Sequence, residues 1–323
     1  MRLACFNYLA AGAALVMLVA GCGGSGGGNI AGGGTGGTGS SIGTITAFGS
    51  IVVNGVHFDE SSANVTINDA PSASGDHKGL KIGMTVKVKA TYNDDDATGT
   101  ASDIEAEHEV EGTIESVDAA GQSFVVLGQV VYTDAQTRYE DIPGGFDGLA
   151  SGMPVEVYGL RDSTGIHATL IESADTDFDE EVRGVVSNLD LTAGSFTLGD
   201  LVVHFDHNTE FDDGSITDLV NGATVEVHFD TDSTMPNHAT EIEIEDNEDS
   251  EFEAEEGARV EVEGYVTRIV DSTTFEIGSQ TVQTNAGTVY SGGAAGDIAV
   301  GRKLEVEGIV AGGVLTAGVV EFD

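Results

Sequence analysis

The chain has 323 residues, with 55 Asp and Glu against 12 Lys and Arg, a formal net charge of −43 and a pI near 4.1. Affinity for nucleic acid comes from Lys and Arg neutralising phosphates, so this balance excludes nucleic acid as an expected partner, and it argues equally against docking on an anionic lipid surface. The 40% hydrophobic fraction falls in short regular runs, which excludes disorder throughout, and at roughly 100–200 residues per domain the length alone gives about two domains.

In residues 1–22, Arg2 precedes an apolar stretch that ends in small residues, the layout of a secretory signal. Val19-Ala20-Gly21-Cys22 resembles the bacterial lipobox, in which the cysteine is acylated and becomes the new N-terminus. Small residues at the cut site and the glycines that follow favour cleavage over a transmembrane anchor. The expectation is a signal peptide over 1–21 and lipidation at Cys22. Cys5 leaves with the signal, so no thiol remains for a disulfide, a redox pair or a thiolate metal site. Gly23 stands where an inner-membrane retention signal places Asp, which implies a lipid anchor in the outer membrane and leaves its face open. Residues 22–42 then read as the lipidated Cys and a Gly-rich tether. Such a Gly/Ser chain is a random coil spanning roughly 25 Å. With no strand before its glycines and no helix after them, it is not a phosphate-binding loop.

From Gly43 onward one unit is written four times. Each copy opens with a glycine inside an alternating strand (Gly43, Gly112, Gly184, Gly264) and continues through a Phe (Phe48, Phe124, Phe196, Phe275) to a strand centred on Val56, Val131, Val203 or Val282. A later glycine stands three residues ahead of Val or Leu: Gly83/Val86, Gly152/Val155, Gly222/Val225, Gly301/Leu304. Each copy closes on Ala-x-x-Ile/Val-Glu, as in Ala101/Ile104/Glu105 and Ala168/Ile171/Glu172. The boundaries are 43–107, 108–174, 182–246 and 260–323, with acidic linkers at 175–181 and 247–259.

Period-two alternation, clearest in Val155-Glu156-Val157-Tyr158 and Val225-Glu226-Val227-His228, means strands with one face buried and the other wet. The best helical turn runs from Ser215, placed to cap, to Gly222, placed to stop. Five strands with a short turn between the third and fourth is the order of an OB-type barrel. The fold class is therefore all-β: four tandem OB-like barrels of about 65 residues. A domain of that size buries only about 60% of its extended-chain surface, so packing between neighbours is expected to supply the rest.

The lipobox, the Gly-rich tether and the run Gly43-Thr44-Ile45 to Asn54-Gly55-Val56, followed by Leu80 and Gly83-Met84-Thr85-Val86, resemble the bacterial lipoproteins of domain-of-unknown-function family 5666. The resemblance covers Gly43 to the C-terminus and is weakest in repeat four, where Asn285 replaces the Asp found at Asp59, Asp134 and Asp206. It implies small OB-like barrels on an envelope-anchored chain and brings no catalytic residues.

Two clusters carry candidate chemistry. His204, Asp206 and His207 offer transition-metal donors, but the His204 slot holds His57, Tyr132 or Gln283 in other repeats, and His228 falls in the outward phase of its strand, which favours exposed polar positions. Asp175, Asp177, Asp179 and Glu181 lie where two barrels must meet, and calcium takes six to eight oxygen ligands. Their spacing opens like an EF-hand but lacks its later Gly and Glu (Glu180 and Ser187 stand there), leaving a looser calcium site or a solvated, self-repelling linker. There is no Gly-x-Ser-x-Gly elbow for a nucleophile, and a glycosidase would need a cleft. The expected function is a non-catalytic envelope lipoprotein acting as a structural or protein-binding module. The alternative is a Ca2+-dependent binder of envelope or extracellular polysaccharide, and a hydrolase is the remote third.

Overall fold

The computed structural model describes residues 37–72, 76–93, 97–174, 178–229, 236–245 and 256–323. The signal-like segment, Cys22 and the tether up to residue 36 lie outside the described residues, as do Asp175, Asp177 and the acidic run 246–255.

Repeat one comprises β1 (Thr38–Thr44), β2 (Ile51–Val53), β3 (Val56–Asp59), β4 (Asn64–Ile67), β5 (Ala70–Pro71), β6 (Thr85–Tyr92) and β7 (Thr98–Ala106). Repeat two holds β8 (Val110–Asp118), β9 (Ser123–Val126), β10 (Gln129–Tyr132), β11 (Arg138–Glu140), β12 (Pro154–Asp162) and β13 (Gly165–Ser173). Repeat three holds β14 (Glu180–Asp190), β15 (Ser195–Leu198), β16 (Leu201–His204), β17 (Glu210–Asp212), β18 (Thr224–Phe229) and β19 (Ala239–Glu245). Repeat four holds β20 (Arg259–Ile269), β21 (Thr274–Ile277), β22 (Gln280–Gln283), β23 (Val289–Ser291), β24 (Lys303–Ala311) and β25 (Val314–Phe322).

In repeat two, β8 pairs antiparallel with β9 and β12, β9 with β10, and β12 with β13, while β10 runs parallel to β13 and closes the ring. Repeat four closes identically through β22 and β25. This is OB topology. Its third strand is broken into two pieces, both parallel to the last strand, as β10 and β11 are to β13. The break is made by the repeated Asp. Asp134 Oδ1 accepts from the backbone N–H of Gln136 and Thr137 at 2.7 and 3.1 Å, and Asp206 Oδ1 from that of Asn208 at 2.7 Å. Asn285 Oδ1 takes the Gly287 N–H at 2.7 Å, so repeat four keeps the turn despite its changed residue. An Asn carbonyl and an Asp carboxylate serve this Asx turn alike.

The closing motif is tied to the same turn. The hydroxyls of Thr137, Thr209 and Thr288 donate to the carbonyls of Ala168, Ala239 and Ala317 at 2.8–2.9 Å. The later glycine also has one job four times. Gly83, Gly152, Gly222 and Gly301 adopt φ of +102°, +87°, +95° and +79°, and each N–H bonds back at 2.8 Å to the first strand or, for Gly83, to Ile45 just after it. Left-handed backbone favours glycine. The expected helical turn is a tight turn in repeat three, where Ser215 Oγ donates to Asp218 Oδ2 at 2.6 Å, and a single 3-10 turn at Gly145–Gly148 and Ala295–Asp297.

The barrels meet along their first strands. The N-terminal end of β14 pairs with β8 (Glu181 opposite Glu111, Val182 opposite Val110), and that of β20 lies parallel to β1 (Gly39 to Ile42 opposite Arg259 to Val262). Repeats two and three share one hydrophobic core. Tyr158 and Leu170 of repeat two enter the core of repeat one, and Ile42 packs on that of repeat four. The expectation of neighbour-to-neighbour stacking alone is corrected: the first and last repeats pair directly. Residues assigned to tether or linker also join strands, since β1 begins at Thr38, Glu180 and Glu181 open β14, and Arg259 opens β20.

Strand-opening glycines differ in the space around them. A Cβ on Gly264 would sit 2.5 Å from Ile277 Cγ2, whereas on Gly184 its nearest neighbour would be Leu198 at 3.5 Å. We expect Gly264→Ala to cost about 1–3 kcal/mol by overpacking and Gly184→Ala to stay within about 0.5 kcal/mol of wild type. Urea denaturation checks this, and equal effects contradict it.

Candidate functional site

Alternation sends Val110, Val155, Val182, Val225 and Val227 into the barrels, so their neighbours face outward. The β8–β14 seam turns that outer face into one continuous surface. Across six adjacent strands, cross-strand partners run Glu172–Glu156–Glu111–Glu181–His228–Glu241, and a second row runs Arg183–Glu226–Glu243. Like charges directly opposite each other are destabilising, so these rows demand cations.

Repeat one supplies some of them by lying across the seam. Lys81 pairs with Glu172, and Arg183 of repeat three pairs with Glu107. His108, in the connection between repeats one and two, is 3% exposed, with Nε2 2.9 Å from Glu181 Oε1 and Nδ1 3.5 Å from Glu156 Oε1. The Tyr158 hydroxyl donates to Glu156, which also accepts from Asn68 Nδ2 at 2.7 Å. Beyond Glu181, His228 lies 3.5 Å from its Oε2 and 3.4 Å from Glu226 Oε1. Arg161 ties the seam together, donating to Glu109 at 2.9 Å and to Gln129 Oε1 and the Arg183 carbonyl at 2.8 Å.

Burial opposes the charge on His108, yet the adjoining carboxylates of Glu156 and Glu181 outweigh it and push the imidazole up to about 10. Glu226 is the main cause holding His228 up to about 9. Glu156 falls to about 2, because His108 and Tyr158 outweigh its burial. Burial raises Glu111 to about 7, with Glu156, Glu181 and Asp179 adding to the rise. Among the described residues, three groups bring ligand-type atoms within 4.8 Å of one another: His108/Glu111/Glu181, Glu181/Glu226/His228 and Asp69/Glu226/Glu243.

A polar cavity of about 400 Å³ adjoins the seam, lined from all four repeats by Lys87, Arg161, Arg183, Glu243, Glu263 and Tyr265 among others. Tyr265 stacks on His167 at 4.2 Å between ring centroids, joining repeats four and two.

The described residues singled out from the sequence take up different positions. Of the acidic quartet, Asp175 and Asp177 lie outside the described residues, Asp179 is exposed, and Glu181 turns into the His108 cluster. His204 is exposed. Asp206 is committed to its turn and stands 3.9 Å from His207, which is 87% exposed, and 3.6 Å from His238, a neighbour that sequence reasoning missed. Alternation predicts that the outward phase of the fourth strand is wet. Instead Tyr158 is fully buried and His228 is half-buried, because a neighbouring barrel covers that face. Glu111, Glu156 and Glu226 carry a sequence signal only as the repeated outward Glu of Val-Glu-Val and Val-Glu-Gly, and His108, between two repeats, carries none.

Fold and seam together define a class: tandem small β-barrels of OB topology, joined edge to edge through their first strands. More particularly, the chain belongs to the family described as "Domain of unknown function (DUF5666)", which matches residues 42–105, 111–172, 183–243 and 263–321. No curated protein matches the chain. Among solved structures it is similar to drosophila Unr CSD456, at 12% identity and a TM-score of 0.18, over 61% of this chain and 90% of that one.

The joint between repeats one and four carries its own titrating group. Glu261 is 3% exposed and accepts from Arg259 at 2.6 Å, and burial raises it from 4.5 to about 8, against the pull of Arg259. Between those values the folded state holds a proton that the unfolded state releases. Stability is therefore highest below about pH 4.5 on this account and falls as pH rises toward 8, by at most about 1.4 kcal/mol per pH unit. Glu305, raised to about 7 by burial, acts in the same direction. We expect Glu261→Gln to flatten the fall in melting temperature between pH 5 and 8, and an unchanged slope contradicts this.

Proposed function

We propose that the chain is a non-catalytic cell-envelope lipoprotein whose barrels serve as a structural or protein-binding module. The lipobox-like Val19-Ala20-Gly21-Cys22 supports a lipid anchor, and Gly23 supports the outer membrane. The observation that carries the module reading is the commitment of the polar groups between barrels. Lys81 and Arg183 hold carboxylates of other repeats and Arg161 reaches the Arg183 carbonyl, so these charges weld barrels together and leave an acidic exterior to meet a partner. The partner on this reading is an envelope protein.

A second reading has one observation in its favour. The acidic run 175–181 leads into the β8–β14 seam, and Asp179 adds its negative charge to that already raising Glu111. On that reading Ca2+ at Asp175, Asp177, Asp179 and Glu181 helps the chain bind envelope or extracellular polysaccharide.

The test is metabolic labelling with a fatty acid, followed by cross-linking in intact cells and recovery of the tagged chain with and without a calcium chelator. Label lost in Cys22→Ser, with a stoichiometric protein partner that survives chelation, is the expected result. An unlabelled chain contradicts the anchor. Polysaccharide, or a partner released by chelation, replaces the first reading with the second.

A further inference from the structure

Four carboxylates occupy adjacent rungs of the seam, from Glu172 through Glu156 and Glu111 to Glu181. Lys81 answers Glu172, and His108 stands between Glu156 and Glu181. Glu111 makes no salt bridge among the described residues, although it faces Glu181 directly and lies in the same ligand group as His108.

The geometry of His108 supplies a second, independent observation. The side chain is 2% exposed, and neither ring nitrogen has a hydrogen bond in good geometry. Nε2 is nevertheless 2.9 Å from Glu181 Oε1, so the oxygen approaches off the direction in which that nitrogen would donate. Two ligands of a single ion, each bonded at about 2.0–2.1 Å, stand roughly 3 Å apart with no hydrogen bond between them. The other nitrogen, Nδ1, points toward Glu156, itself anchored by Tyr158 and Asn68. An ion on Nε2 would leave the ring proton on Nδ1 beside Glu156, where a carboxylate behind a metal-binding histidine characteristically orients the ring.

We propose that His108 Nε2 and the carboxylates of Glu111 and Glu181 bind one divalent transition-metal ion, of the Zn2+ class, at the seam where repeats one, two and three meet. One imidazole with two carboxylates suits such an ion better than calcium, which takes oxygen ligands, and the ion takes the place of the proton on Nε2, which is released to solvent on binding. The three ligands come from the connection between repeats one and two, from β8 and from β14, so the ion clamps three repeats at one point. The site stands whichever partner the module has, and it is separate from the calcium reading, with which it shares only Glu181.

The experiment is Zn2+ titration of the purified, chelator-treated full chain by calorimetry, in 0.15 M salt with excess Ca2+ to occupy weak acidic positions. Saturation at one Zn2+ per chain with a raised melting temperature is expected. Glu111→Gln should weaken that binding at least roughly tenfold, and Glu156→Gln by about 10–100-fold. The exposed Glu210→Gln should leave it unchanged. Glu111→Gln is the decisive variant, because a purely ionic role for His108 between Glu156 and Glu181 predicts normal folding and no effect on Zn2+. Absence of saturable binding, or saturable binding indifferent to Glu111→Gln, overturns the proposal. His108→Asn is read only if its circular dichroism matches wild type.

Discussion

An OB-topology barrel leaves part of its first strand with one side unpaired, because the second strand covers only the C-terminal half. In β8 the residues from Ile114 onward pair with β9, while Val110 and Glu111 must find another partner. An exposed strand edge is a template for pairing with another chain. This protein satisfies each edge with a first strand from a second barrel: β8 with β14, and β1 with β20. The rest of the architecture follows from that pairing. Repeats two and three fuse their cores, the first repeat is drawn against the last, and Tyr158 and Leu170 fall into the core of repeat one.

Joining barrels by their edges also sets their polar outer faces against one another. In a chain with 55 acidic and 12 basic residues this raises an electrostatic problem. The positions of the few cations are the answer. Lys81, Arg161, Arg183, Arg259 and Lys303 all engage carboxylates in partly buried places at or beside the joints. Where cations run short, protons compensate. Glu111, Glu243, Glu261 and Glu305 are all raised to about 7 or 8, chiefly by burial. Truncating one partner of a buried pair is costly because the other charge is left uncompensated, so single substitutions at the joints are expected to be destabilising.

Much of the fold was legible in the sequence because the constraints are local. The glycine at 83, 152, 222 and 301 marks a backbone conformation that other residues resist, and the Asp at 134 and 206 marks a turn that its own side chain closes. The glycine recurs in all four repeats, and the turn residue is Asp in three and Asn285 in the fourth. The seam left no such trace, because it depends on register between repeats. Nothing in Val110-Glu111-Gly112 shows that Glu111 will face Glu181 of another barrel, or that His108 will be buried between two carboxylates. Alternation divided the residues correctly into inward and outward, but outward proved to mean the joint between barrels as well as solvent. That is why Tyr158 and His228, placed among exposed positions, lie at the centre of the candidate site.

Edge pairing makes two pairs of barrels, two with three and one with four, and the side chains of Tyr158, Leu170 and Lys81 lock the pairs into one cooperative body. Differential scanning calorimetry of the full chain tests it most directly. The account predicts a single transition whose calorimetric and van't Hoff enthalpies agree. Separate transitions, each with the enthalpy of a unit of about 65 residues, would show barrels that unfold independently and would contradict it.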